Sequence, residues 1–183
     1  MHVRTQPLYR LFFAVKPPLV MMRKIDHFAE RVDPDAHRIR PEHQHVTLGI
    51  TADWSDYPYE RIKALRRAAA NIMAEPFDLL LDRLNLSGES AALRPSHSIA
   101  GLKLLQGQVA DAMLRADVMP RPGWSFSPHQ TLFYRRGAPD QRPIDGFSWR
   151  VDEVVLICSH VGRTRHDLIG TWSLKGSGQY SLF

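Results

Sequence analysis

The pattern of apolar and polar positions predicts alternating strands and helices. Leu8 to Val15 is a short aromatic and β-branched run that reads as a strand and is stopped by Pro17-Pro18. Leu19, Met22, Ile25, Phe28 and Ala29 then recur at helical spacing, which predicts an amphipathic helix over 19–31. Asp33 to Glu42 is polar, carries two prolines and reads as a loop. From His45 to Ile50 the chain alternates sharply, so that Val46, Leu48 and Ile50 are expected on one face of a strand and His45, Thr47 and Gly49 on the other.

A loop over 52–59 leads to a second helix reaching about Ala74, with Ile62, Leu65, Ala69, Ile72 and Met73 on its apolar face. Phe77 to Leu86 reads as a strand, with Ala91 to Leu93 as its hairpin partner. Ile99, Leu102, Leu105, Val109 and Met113 predict a third helix over 96–116. A loop rich in Pro and Gly precedes a strand from His129 to Tyr134. Val151 to Ser159 is almost continuously apolar, as a central strand would be, and Ile169 to Leu174 reads as the last strand. Gly176 to Gly178 is expected to be mobile. The class is mixed α+β. Neither a GxGxxG nor a GxxxxGK[ST] loop occurs, and no internal linker divides the chain, so residues 1–183 are expected to form one domain.

Composition narrows the picture modestly. Hydrophobic residues make up 44% and charged residues 23%, the balance of a globular protein. One cysteine, Cys158, cannot form an internal disulfide, so a reducing, cytoplasmic setting is expected. The opening apolar stretch is cut by Arg10, Lys16 and two prolines, which makes it a poor signal peptide and too short to span a membrane. The net charge of +5 and pI near 9.7 come from an Arg-rich basic set, and guanidinium groups suit phosphate because their fork makes two hydrogen bonds to it. Arg61, Lys63, Arg66 and Arg67 form one basic helix face, read either as solvated surface or as an RNA track.

The chemistry lies in a repeat. His-x-Thr-Leu occurs at 45–48 and again at 129–132, each time where a strand is predicted. Chance would place roughly 0.03 copies in a chain of this composition. In a strand, residues i and i+2 share a face about 6.5–7 Å apart, so each motif presents one imidazole beside one hydroxyl. Two copies at half-chain separation imply two similar lobes, and strands facing across a cleft would bring both pairs together. One histidine then accepts a proton while the other gives one, and the hydroxyls donate to phosphate oxygens as charge builds. The pattern fits in-line attack on a phosphodiester, with no metal or covalent intermediate required.

Paired His-x-Thr-hydrophobic motifs resemble those of the 2H phosphoesterases. RLFFAV (Arg10 to Val15), PEHQHVTL (Pro41 to Leu48), SPHQTL (Ser127 to Leu132), VDEVVLICSH (Val151 to His160) and TWSL (Thr171 to Leu174) are similar, in order along the chain, to the branch of 2′-5′ RNA ligases and RNA 2′,3′-cyclic phosphodiesterases. The resemblance implies a bilobal α+β fold, with two mainly antiparallel sheets related by a pseudo-two-fold, helices outside and a basic central cleft. It implies a metal-independent, cofactor-free enzyme that hydrolyses the 2′,3′-cyclic phosphate of RNA or a nucleotide to a 2′-phosphate. Ligation of 2′-5′ ends and phosphate holding without turnover, in an RNA-binding module, are the alternatives. His45, Thr47, His129 and Thr131 become the catalytic set, with His129 as water-activating base and His45 as acid. The protein is expected to act as a monomer, with no membrane partner.

Other residues are candidates for substrate contact. His43 is expected to line the cleft rather than bind metal, since the His43-x-His45 pair has no acidic or Cys companion at a recognisable spacing. Trp124, Phe126 and Tyr134 are candidates for stacking a base. Of the adjacent Phe12 and Phe13, one must face the core and the other the opposite side. Relatives often carry an arginine five residues after the second histidine, where this chain has Tyr134 followed by Arg135 and Arg136. A one-residue shift in a strand reverses the face, so Arg135 is a candidate contact without inheriting that arginine's role. His160 and His166 flank a polar turn that either touches phosphate or serves as an ordinary basic turn.

Overall fold

The structure, a computed structural model, describes residues 7–176. It contains β1 (Leu8–Val15), α1 (Leu19–Val32), β2 (Val46–Ile50), α2 (Tyr59–Ala69), β3 (Phe77–Leu86), β4 (Ser90–Arg94), α3 (Ala100–Arg115), β5 (Gln130–Tyr134), β6 (Asp140–Val151), β7 (Glu153–Val161) and β8 (Arg165–Ser173). The strands form two four-stranded sheets, ordered β2-β1-β7-β8 and β5-β4-β3-β6, and every pairing is antiparallel.

The two sheets correspond strand for strand. In each, a strand leads into a helix and then into a motif strand that pairs back onto it: β1-α1-β2 in the first, β4-α3-β5 in the second. Both motif strands are therefore sheet edges, and an uncovered edge is a liability. Each is closed by the loop that leads to the other motif. The Arg121 amide donates to the Ile50 carbonyl at 2.7 Å on β2, and the Ile39 amide donates to the Leu132 carbonyl at 2.8 Å on β5. The halves are thus latched reciprocally beside the two motifs.

The core faces explain the apolar periodicities. Leu11, Phe13 and Val15 point into the main core with Leu156 and Cys158 of β7. On the opposite face Phe12, Ala14, Val155 and Ile157 form a small second cluster. Strand β7 is central, as its continuous apolar run predicts. Gly49 has a packing reason: a Cβ there would lie 2.7 Å from Met113 Sδ and 3.1 Å from Val109 of α3.

Four boundaries depart from the sequence expectation. Strand β6 is absent from it because the segment is polar, includes Pro143 and Gly146, and buries only Trp149 and Val151; its register comes from the ladder with β3. Helix α2 stops at Ala69, ahead of Pro76, so Met73 is exposed although Ile72 and Ala74 remain buried. Helix α3 starts at Ala100 because both Ser96 polar groups are spent on the Asp82 carboxylate, at 2.7 and 2.6 Å. Strand β8 begins at Arg165, four positions before the expected Ile169, since a tight turn at Gly162–Thr164 carries β7 straight into it. Of the Gly176 to Gly178 stretch, 177 and 178 lie outside the described residues; the Gly176 amide donates to the Ala74 carbonyl.

Candidate active site

Both motifs carry the same local device. Between Ala14↔Thr47 and Phe13↔Gly49 the ladder skips Leu48; between Ala92↔Thr131 and Ala91↔Phe133 it skips Leu132. A one-residue bulge therefore follows each motif threonine, and it resets which face later residues occupy. This corrects the expected alternation of β2. Gly49 turns to the core helix, while Ile50 joins His45 and Thr47 at the cleft. In β5 the same step sends Phe133 inward and leaves Tyr134 at the cleft, 70% exposed.

The imidazoles are oriented identically. His45 Nδ1 lies 2.6 Å from the His43 carbonyl and His129 Nδ1 lies 2.8 Å from the Ser127 carbonyl, both two residues upstream. A carbonyl only accepts, so Nδ1 carries the hydrogen and Nε2 is the nitrogen left for chemistry.

A cavity of about 470 Å³ joins the motifs. His45, Thr47, His129 and Thr131 line it with His43, Tyr134, His160 and His166. Of the sequence candidates, His43 and Tyr134 are thus brought in. Trp124 and Phe126 sit near each other, with ring centroids 6.5 Å apart, but do not line the cavity. Arg135 does not line it either; its guanidinium donates to the Ser87 and Ala138 carbonyls at 2.9 and 3.1 Å.

The expected basic cleft is also corrected. Among the described residues its lining has a single Lys or Arg, Arg10, and Asp53 holds that guanidinium through two hydrogen bonds of 2.6 and 2.8 Å. The polar lining is dominated instead by five histidines. His160 and His166 enter because β7 and β8 continue to the turn, whose Gly162 and Thr164 line the cavity too. His160 Nε2 hydrogen-bonds Asp167 at 2.6 Å, and its ring lies edge-on to Tyr9.

The surroundings of His45 perturb its titration. His45 stacks on Phe12, with ring centroids 4.7 Å apart. Burial pushes its pKa down to about 4; the bond to the His43 carbonyl opposes this, and the charges of Lys16, His129 and His43 reinforce it. His166 is pushed down to about 4 as well, by burial first and then by His43, His45 and Lys16. It lies 4.3 Å from His43 and 6.0 Å from His45, centroid to centroid. At neutral pH both rings are neutral.

The sequence assigns no role to Gln44 or Gln130. They adjoin the two catalytic candidates and are 2% and 0% exposed. Gln130 Nε2 donates to Gln44 Oε1 at 3.2 Å, and Gln44 Nε2 donates to the Met22 carbonyl at 3.1 Å. One buried polar bond thus ties the first motif to the second beneath the cleft.

No protein-family model matches the chain, and no curated protein matches it in sequence. Solved structures do match. E. coli LigT complexed with 3′-AMP is 25% identical, with a TM-score of 0.79 over 92% of this chain and 99% of that one. A structure described as a phosphoesterase is 24% identical, with a TM-score of 0.74 over 91% of this chain and 98% of its own. The protein TT0787 of Thermus thermophilus shares the fold at 20% identity and a TM-score of 0.71, over 92% and 99%. The resemblance first carried by two short motifs therefore extends through the arrangement of both sheets: the chain resembles the 2H phosphoesterase superfamily and, within it, the LigT branch.

Proposed function

We propose that this protein is a phosphodiesterase that opens the 2′,3′-cyclic phosphate of RNA or a nucleotide to a 2′-phosphate. The observation that carries the reading is the pair of identically locked imidazoles, His45 and His129, lining one cavity with Thr47 and Thr131. LigT, the structural relative at 25% identity, has been solved with 3′-AMP and with ATP, which supports a nucleotide-sized ligand.

The free Nε2 atoms supply both proton transfers. Neutral His45 takes the proton of the attacking water, and His129 gives one to the departing ribose oxygen. This reverses the expected assignment, because an imidazole held near pKa 4 is unprotonated at neutral pH and so begins as a base. Thr47 and Thr131 donate hydrogen bonds to the equatorial phosphate oxygens as charge accumulates. Ligation of 2′-5′ ends would use the same groups with an RNA hydroxyl in place of water.

The test is turnover of 2′,3′-cyclic AMP, with and without chelator, beside a cyclic-phosphate-ended oligonucleotide offered an acceptor strand. Chelator-insensitive release of the 2′-phosphate is the expected result. Joined product in excess over hydrolysed product would replace the reading by ligation, and absence of both reactions would leave phosphate binding alone.

A further inference from the structure

We propose that a second cavity, beside the two-histidine site, receives the nucleobase and that its acidic rim favours bases carrying an exocyclic amino group. The inference rests on the reading that the site takes a nucleotide-borne phosphodiester.

The second cavity measures about 410 Å³, within the usual range for a small-molecule site, and shares His43 and His166 with the first. The second cavity therefore adjoins the one lined by the motif threonines. Its walls suit a flat ring. Val155, Ile157 and Leu168 from strands β7 and β8 line it, together with Pro17, Pro18 and Met22 at the start of α1. Leu168 is 63% exposed on an otherwise ordered strand, an apolar side chain with no covering partner among the described residues.

The rim selects against a second phosphate. It carries three carboxylates, Glu42, Asp152 and Glu153, against two cations, Lys16 and Arg150. Both cations have acidic company: the Lys16 charge is opposed by the Glu42 and Glu153 carboxylates, and Arg150 Nη1 lies 3.4 Å from Asp78 Oδ1. Asp152 and Glu153 form no ion pair among the described residues. Free carboxylates accept hydrogen bonds and cannot donate them. Adenine, guanine and cytosine offer an exocyclic amine to such acceptors, whereas uracil offers carbonyl oxygens at its exocyclic positions. A site built to pair a donor discriminates against an analogue that lacks it.

The experiment is calorimetric binding of 2′-AMP, 2′-UMP and inorganic phosphate to the parent and to Leu168→Trp, Thr171→Trp and Tyr134→Ala. Leu168 and Thr171 are exposed, so the larger side chains fill the cavity without entering the core. The parent should bind 2′-AMP on the order of 10-fold more tightly than 2′-UMP, the worth of about one good hydrogen bond. Either tryptophan should weaken 2′-AMP by a similar factor and leave phosphate unchanged, which also reports an intact fold. Asp152→Asn combined with Glu153→Gln should narrow the gap between 2′-AMP and 2′-UMP. Equal affinity for the two nucleotides, or a loss confined to Tyr134→Ala, would overturn the inference and move the base to Tyr134. If phosphate itself fails to bind the parent, the two-histidine reading falls first and the base pocket with it.

Discussion

The two half-sites share a four-residue motif, a bulge after the threonine, a carbonyl lock on Nδ1 and a loop from the opposite half sealing the edge. They differ in what lies above the ring. His45 has Phe12 stacked on it and His166 nearby, because β8 of its sheet runs up to the cleft through the turn after β7. The counterpart of β8 in the other sheet is β6, which contributes nothing to the cavity lining. One motif sequence is therefore held in two environments. The motif decides which nitrogen faces the substrate, and the surrounding sheet decides how readily that nitrogen is protonated.

The sharpest way to break this comparison is to delete each imidazole. His45→Ala and His129→Ala should each lower kcat by at least ~10²-fold, the usual worth of a general acid or base. A near-normal rate in either variant would end the two-histidine mechanism. Thr47→Val and Thr131→Val should cost less, on the order of 10-fold to 10²-fold, if each removes one donor to the transition state.

The pH dependence of kcat/KM tests the asymmetry itself. With neutral His45 as the base, its limb should appear as a fall in rate only as pH drops toward about 4. A limb near the ordinary imidazole value of about 6.5 that disappears in His45→Ala would restore the opposite assignment.

The buried glutamine bond is expected to show its worth in stability. Gln130→Leu strands Gln44 Oε1 in the interior and should cost about 1–3 kcal/mol in denaturant unfolding. Gln44→Leu combined with Gln130→Leu should cost less than the sum of the single changes, since two apolar partners leave no half of this bond unmet. Strict additivity would show that the bond does not couple the motifs.

The smallest effect concerns His166. Its pKa and that of His45 are near 4 in the folded chain, below the ordinary 6.5. Between those values the unfolded chain binds more protons, so their contribution to stability is complete above about 6.5 and is lost as pH falls through about 4. Tm should decline over that window, and His166→Phe should flatten the decline. An unchanged slope in the variant would remove His166 from the coupled set.

Much of the fold was legible because burial writes a period into the chain. Strands β1 and β7 and helix α3 bury continuous or regularly spaced apolar residues, and their positions followed from that. Strand β6 was invisible for the opposite reason: its pairing with β3 is made by backbone groups, which carry no sequence signature. Trp124 and Phe126 have the right chemistry for stacking, but their loop does not deliver them to the cavity. His166 is visible in the sequence only as the flank of a basic turn, whereas its half-buried place beside His43 and His45 depends on where the β7–β8 hairpin arrives.

By itself, the sequence determined the two motifs, their half-chain separation and the imidazole-beside-hydroxyl pairing that a strand imposes, since these depend only on local order and a period of two. Tertiary structure decided the rest. The bulges at Leu48 and Leu132 shift the face of every later residue, and a bulge is a property of two paired strands rather than of one. The charge surplus of five did not settle in the cleft, where among the described residues Arg10 is the single Lys or Arg of the lining, held by Asp53, and histidine is the commonest polar side chain. That His45 starts neutral likewise depends on its desolvation beside Phe12, a quantity that exists only once the sheets have closed around it.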